Sequence, residues 1–371
     1  MTGPHIAVVG AGFAGAATAL HLVRRGARVT VLEREPIAGA HASSQNAGML
    51  RTAIADPALA RVAAAGADGV AAAQALSEVP LVRPSGSLLL AQGETLEPLR
   101  KVVPELREMR RSARWLDPAE AASRVAALAG APFEAALWTP EDGVADTAAY
   151  LTALLLGARR DGATLRLGTE VLGGEPGDGS RPARLETGRG AVEADVVVIA
   201  AGAWSDVVAR RIGATPLGLT PLRRHLHATG PLAEVDPRWP FVWALGDEVY
   251  FRPESGGLLL SPCDEEPFPP GEPPADPQNR ALLARKVARA FPALLDLPLM
   301  RSWAGLRTFA PDRRFVLGRD PRAPRVCWAA GLGGHGVTCA WEIGRIAAES
   351  ALGLAPAPAE FDPARFPVPP P

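Results

Sequence analysis

Cysteine is scarce in this chain. Cys263, Cys327 and Cys339 are the three among 371 residues, odd in number, far apart and without a CxxC pair. That argues against a disulfide framework and against a cysteine zinc site, and favours buried, reduced thiols in a reducing compartment. An excess of one charge is also missing. Lys+Arg 39 against Asp+Glu 40 leave −1, so net charge calls for neither a nucleic-acid nor a membrane-surface partner. Internal repeats are absent, and tyrosine is nearly so, with two in all. One stretch, Pro4 to Val23, lacks Asp, Glu, Lys and Arg. No basic residue precedes it, and Gly10, Gly12 and Gly15 interrupt it. It therefore reads as strand, turn and helix, not as a signal peptide or membrane span. The expectation is a cytoplasmic protein without a transmembrane segment.

What remains is an ordinary soluble composition, 47% hydrophobic and 21% charged, with a length that suits two medium domains. The N-terminus reads β-α-β. His5 to Val9 is a short apolar run, Gly10-x-Gly12-x-x-Gly15 follows with Phe13 and Ala14 inside it, and a helix runs to Arg25. A second strand, Ala27 to Leu32, ends at Glu33 and Arg34. This is the context that a dinucleotide fingerprint requires. Gly10 permits a tight turn, Gly12 lets the backbone approach a pyrophosphate, and Gly15 lets the helix pack on the sheet. The helix start offers N–H groups and partial positive charge to the diphosphate. Glu33 suits ribose hydroxyls and disfavours a 2′-phosphate.

Farther along, helices are expected over Asp56–Leu76, over Leu96–Ala129 with a break near Pro118, and over Asp146–Arg160. A loop is expected at Gly173–Gly179. Ala194–Gly202 and Val326–Ala330 read as buried strands, the second leading through Gly331, Gly333, Gly334, His335 and Gly336 into a helix at Thr338–Ala351. After Pro216 short alternating strands predominate, with a Pro-rich acidic loop at Pro262–Pro277. The tail from Pro356 reads as an extended or disordered end. The glycine loop at 331–336 has no second strand or acidic partner behind it, so it is not a second fingerprint. One long cofactor visited three times by the chain favours FAD over NAD.

The chain resembles the family of FAD-dependent D-amino-acid, glycine and sarcosine oxidases. The likeness rests on Gly10–Gly15 with Glu33, on Ser43-Ser44-Gln45-Asn46-Ala47-Gly48-Met49-Leu50, on Val196–Ser205, on Trp303-Ala304-Gly305-Leu306-Arg307 and on Gly331–Thr338. By that resemblance Ser43 to Met49 cover the flavin pyrophosphate and ring, with Met49 near the ring face. Val171 meets the adenine through its backbone, and Ala201, Gly202 and Trp204 close on the cofactor. Gly333 to Thr338, Val337 included, face the flavin pyrimidine and stabilise its negative charge on reduction. Sarcosine oxidases hold FAD through a cysteine where this chain has Gly305, and related dehydrogenases through a histidine where it has Asn46. The FAD is therefore expected to be non-covalent. Leu258-Leu259-Leu260 stands where sarcosine oxidases carry an oxygen-activating lysine, which favours a quinone or dye over O2 as electron acceptor.

Arg307 matches the family's carboxylate-binding arginine, a task suited to the planar guanidinium fork. The alternative for it is an ion pair with Asp312. Tyr250 is a candidate for the same carboxylate and His335 for substrate or cofactor contact. Arg51, after the Met49 loop, could meet a second acidic group, but a solvent-facing arginine is the leading reading; His225 and His227 read as structural, and Trp138, Trp239, Trp243, Trp328 and Trp341 as core.

The resulting expectation is α/β plus α+β: a discontinuous Rossmann-type FAD-binding domain (1–80, 141–215, 308–355), an antiparallel-sheet substrate domain (81–140, 216–307) and a Pro-rich tail (356–371). The expected activity is oxidation of the C–N bond of a small amino acid or secondary amine, giving an imino acid. A 2-hydroxy-acid dehydrogenase and a non-catalytic FAD-binding subunit are the alternatives. Metal, nucleic acid and a particular oligomeric state are not expected from anything in the sequence.

Overall fold

The computed structural model describes residues 3–367. Val368 to Pro371 of the expected tail lie outside them. The first strand, His5–Val9, is central in a six-stranded sheet. Its neighbours are Arg28–Leu32 on one side and Val196–Ile199 on the other, both parallel to it. Thr164–Arg166 extends one edge, and Ala323–Ala330 with Val316–Asp320 the other. Central parallel strands are covered on both faces, so they read as continuous apolar runs. The charge-free N-terminal stretch is thereby explained. Every residue of the helix Phe13–Val23 is buried, packed between the sheet and the helices Thr147–Arg160 and Gly336–Ala351.

Close packing here depends on glycine. At Gly10, φ is +107°, and a Cβ on Gly15 would lie 1.9 Å from the Gly10 carbonyl oxygen. A Cβ on Gly344 would come 2.5 Å from the Ala17 carbonyl carbon. The first and last long helices are thus in backbone-to-backbone contact across 327 residues of sequence.

A second sheet of nine strands gathers Ser87–Ala91, Arg114–Leu116, Ala135–Thr139, Thr220–Thr229, Phe241–Ala244, Val249–Glu254, Gly257–Ser261, Glu266–Pro267 and Leu299–Phe309. It is antiparallel except where Phe241–Ala244 runs parallel to Ser87–Ala91. Leu299–Phe309 pairs along its length with Thr220–Thr229 and carries the chain back to the first sheet, with Phe309 bridging to Leu332. The small sheet of Met49–Leu50, Val82–Arg83 and Gly143–Ala145 lies between.

Four local expectations need correction. The Leu96–Ala129 segment breaks earlier than Pro118. Its helix ends at Glu108 and Arg110 turns at φ +60°, then Arg114–Leu116 forms a strand on Ala136–Trp138. The 173–179 loop begins as a strand, since Val171–Glu175 pairs with Ala183–Thr187 in a three-stranded meander. The described part of the tail is docked. Phe361 is buried, stacks on Phe315 at 5.6 Å, and accepts the Leu317 N–H through its carbonyl. Proline keeps that tail extended, but Phe361 gives it an apolar anchor. Finally, the substrate-side sheet is mixed and not purely antiparallel.

Candidate active site

A cleft of about 1320 Å³, counted to its open mouth, lies along the carboxyl ends of the central parallel strands. This is where open α/β sheets take ligands, because strand ends, helix starts and loops converge there. Gly10, Gly12, Phe13, Ala14, Glu33, Arg34, Ser43, Asn46, Val171, Ala201, Gly202 and Trp204 line it. So do Arg307, Gly331, Gly333, Gly334, Gly336 and Val337. The three sequence segments expected to share one cofactor do converge.

Two helix starts open into this space, after Gly12 and after His335, and neither has a side-chain cap. Apart from the Phe13 N–H, their first N–H groups and partial positive charge are left for an anion. Ser43 Oγ accepts the Phe13 N–H at 3.1 Å, which ties the 43–49 loop to the fingerprint. Glu33 is buried and accepts the Ala11 N–H (2.8 Å) and the Glu35 N–H (2.9 Å). A carboxylate has about four acceptor sites, so Glu33 holds the turn and keeps capacity for hydroxyl donors. Nearby, Arg34 lies 4.1 Å over Trp204, and the His41 ring lies 4.5 Å from it. The Val171 carbonyl accepts from Arg211 Nη1 at 2.8 Å. The sequence reading singled out neither His41 nor Arg211, because both acquire their place only through tertiary contacts. These features fit FAD: a glycine turn without room for a Cβ, one uncapped helix start for the diphosphate and a second for negative charge elsewhere on the cofactor, and an acidic residue after the second strand.

Other expected cofactor residues do not line the cleft, and Asn46, which does, is bonded within its own loop. Gly15 packs on Gly10, and exposed Ser44 bonds back to the Ala40 and His41 carbonyls. Asn46 shapes its own loop, donating to Ser43 O (2.8 Å) and accepting the Gly48 N–H (2.7 Å). Gln45 O accepts from Arg307 Nη2 at 2.7 Å. Ala47 O accepts from Arg252 Nε at 2.5 Å. Gly48, at φ +64°, presses on Ala145. Thr338 donates to Met49 O and accepts the Arg51 N–H, so the last helix pins the loop. Met49 packs in an apolar cluster with Ala47, Tyr250, Leu259, Cys263 and Trp243.

Arg307 is 7% exposed, and among the described residues its guanidinium donates only to the Gln45 and Leu306 carbonyls. The expected alternative of an ion pair with Asp312 does not form, because Asp312 holds Arg365 instead. Burial lowers the Arg307 pKa to about 10. A buried cation served by neutral acceptors alone is poised for an anionic ligand. Tyr250 is buried against Trp243 at 5.0 Å, and burial raises its pKa, so its hydroxyl is neutral. Burial pushes the His335 pKa down to about 3. Neutral His335 can therefore accept from Arg51 Nη2, 3.2 Å from its Nε2.

Arg51 corrects the sequence reading most directly. It is not solvent-facing: its guanidinium lies 4.3 Å over the Trp243 ring, and Trp243 is half-buried beside the site. His225 and His227 are structural, bonded to Asp264, Asp276 N, Ser302 and Asn279. Among the described residues no group of side chains could hold a metal ion, and no helix is long and apolar enough to cross a membrane.

A family model described as FAD dependent oxidoreductase matches residues 5–350. A glycine oxidase from Geobacillus kaustophilus is 28% identical over 95% of both chains. One from Pseudomonas aeruginosa is 30% identical over 85% of this chain and 86% of its own. Among solved structures, L-proline dehydrogenase from P. horikoshii superposes with a TM-score of 0.86 at 25% identity, covering 98% of this chain and 97% of that one.

Proposed function

The chain belongs to the FAD-dependent oxidoreductase family of the D-amino-acid oxidase type, and from that premise we propose that it oxidises the C–N bond of a small amino acid or secondary amine that carries a carboxylate. Bound FAD supplies a two-electron acceptor for the hydride leaving the substrate α-carbon. The observation that carries the substrate class is Arg307, buried at the cleft wall with no acidic partner among the described residues.

Arg307 takes the carboxylate through two charge-assisted hydrogen bonds and so fixes the α-carbon. Its own orientation is held by the Gln45 carbonyl, so the 43–49 loop sets both cleft wall and anchor. Tyr250, kept neutral, can donate but not repel. With the amine deprotonated, its lone pair forms the C=N bond as hydride departs, and water then hydrolyses the imino acid to an oxo acid and ammonia or amine. No strong base is required, and positioning carries most of the rate. Glu33, the Gly10–Gly15 turn and the two uncapped helix starts hold the FAD. The six-stranded sheet with its helices forms the FAD-binding domain, and the nine-stranded sheet forms the substrate domain. Oxygen or a quinone reoxidises the enzyme, and Leu258–Leu260, apolar and buried within a strand, favours the quinone.

The test is anaerobic mixing of the holoenzyme with glycine, sarcosine, a D-amino-acid panel and 2-hydroxy acids. Bleaching of the flavin by amines and not by hydroxy acids is expected. Bleaching by hydroxy acids alone would replace this reading with the hydroxy-acid one.

A further inference from the structure

We propose that the site is built for an amine bearing two anionic groups, with Arg307 taking the α-carboxylate and Arg51 a second carboxylate. The inference deepens the amine-oxidation reading and rests on it for the chemistry, although not for the second anion site.

Two arginines flank one short backbone segment. The Arg307 Cδ lies 3.4 Å from where a Gly334 Cβ would stand, and the next residue, His335, accepts from Arg51. Neither guanidinium forms an ion pair among the described residues. Arg307 has two carbonyls, and Arg51 has a neutral imidazole and the face of Trp243. Of the carboxylates whose charge bears on Arg51, Asp142 is spent on Thr52 and Ser87, and Glu248, exposed on a turn, favours the Arg51 charge without coming within ion-pair distance. Stacking on tryptophan supports the cation's flat face but leaves N–H edges directed elsewhere. An imidazole held neutral cannot repel that cation, and it fixes one edge of it.

The arrangement continues around the site. Trp243 packs on Tyr250, and Tyr250 shares its cluster with Met49 and Cys263. Holding a second, half-buried cation in addition to buried Arg307 is costly when the only ligand anion is one α-carboxylate, because charge withdrawn from water without a counter-ion is unfavourable. A ligand with a second anion offsets that cost.

The probes are matched pairs that differ by one charge at nearly constant shape: D-aspartate against D-asparagine, D-glutamate against D-glutamine, and iminodiacetate against its monoamide. Anaerobic flavin reduction by the holoenzyme should favour the dianionic member of at least one pair by 10-fold or more in second-order rate. Arg51→Met should bring that ratio to about 1 or below, and Arg51→Lys should restore part of it. A wild-type ratio at or below 1 in every pair overturns the proposal, as does a ratio that Arg51→Met leaves unchanged. The wild-type measurement decides even if the Met variant does not fold. Succinate and acetate, which donate no hydride, separate this proposal from the broader one. If no amine bleaches the flavin yet succinate perturbs its spectrum more tightly than acetate, and Arg51→Met removes the difference, the dianion site stands and amine oxidation falls. If monocarboxylate amines bleach the flavin without any preference for a second anion, the reverse holds.

Discussion

Replacing Arg307 by leucine asks one side chain to reveal what it costs and what it does. In the ligand-free protein the guanidinium is buried with carbonyl partners only, and its pKa falls to about 10. That drop corresponds to roughly 3 kcal/mol against the charged form, at 1.36 kcal/mol per tenfold change. Leucine removes this cost but leaves the Gln45 carbonyl without its 2.7 Å donor, a loss of about 1–3 kcal/mol. The two effects oppose, so thermal stability of the ligand-free holoenzyme should change little, by about 1–2 kcal/mol in either direction. Binding should change greatly. Losing a charge-assisted bidentate contact in a largely dry pocket costs roughly 2–5 kcal/mol, or about 30-fold to several-thousand-fold in affinity. Benzoate or acetate, titrated against the flavin spectrum, reads this directly without turnover. Arg307→Lys should recover only part, because an ammonium lacks the planar fork. The pH arm has a definite sign. Wild-type carboxylate affinity should hold to near pH 9 and fall about tenfold per pH unit above about 10, as Arg307 loses its proton. An Arg307→Leu enzyme that binds benzoate as tightly as wild type would refute the assignment. So would a large loss of stability with unchanged affinity, since that marks a purely structural arginine.

Three further outcomes follow from other parts of the fold. Acid precipitation should leave the yellow colour in the supernatant, because a Cβ at Gly305 would meet Gln45 at 2.7 Å and Asn46 is consumed in its own loop; colour retained by the pellet would contradict this. In stopped-flow mixing, reduced enzyme should return to the oxidised form more slowly in air-saturated buffer than with a quinone or dye; a faster return with oxygen would count against the role given to Leu258–Leu260. Asp320 is fully buried and accepts from the Arg322 guanidinium and from Trp328 Nε1 at 3.0 Å, so Asp320→Ala should cost about 3–5 kcal/mol in urea unfolding. These bonds hold the Asp320 pKa below its usual value despite burial; the contribution is present above the unfolded carboxylate pKa and is lost as pH falls through the lower folded one.

The parts of the site that could be read from sequence are those set by short-range rules. Strand, glycine turn, helix and terminal Glu33 occupy consecutive residues, and their geometry follows from backbone sterics and alternation of apolar runs. The glycine loop at 331–336 was readable for the same reason. What escaped was set by partners far away in the chain. Arg51 looks solvent-facing until Trp243, 192 residues later, supplies a face to lie on. Arg252 reaches Ala47, and Arg211 reaches Val171, by pairings that no local pattern encodes. The Arg114–Leu116 strand is too short to show a period, and it exists because Ala135–Thr139 offers an edge. Phe361 looked like part of a featureless tail because its receptor, Phe315, lies 46 residues earlier, beyond two strands and a helix.

The contact between Gly344 and Ala17 also bears on how the chain can be made. The strand His5–Val9 lacks its second neighbour until Val196–Ile199 exists, and the first helix lacks the larger of its two helical covers until Gly336–Ala351 is present. During synthesis at roughly 5–20 residues per second, about 15–65 s separate emergence of the fingerprint from that of the helix that closes over it. Through that interval the most apolar stretch of the chain waits without its packing partner. Loss of the Gly336–Ala351 helix would therefore damage the first forty residues, and a stable cofactor site would have to wait until that helix has emerged.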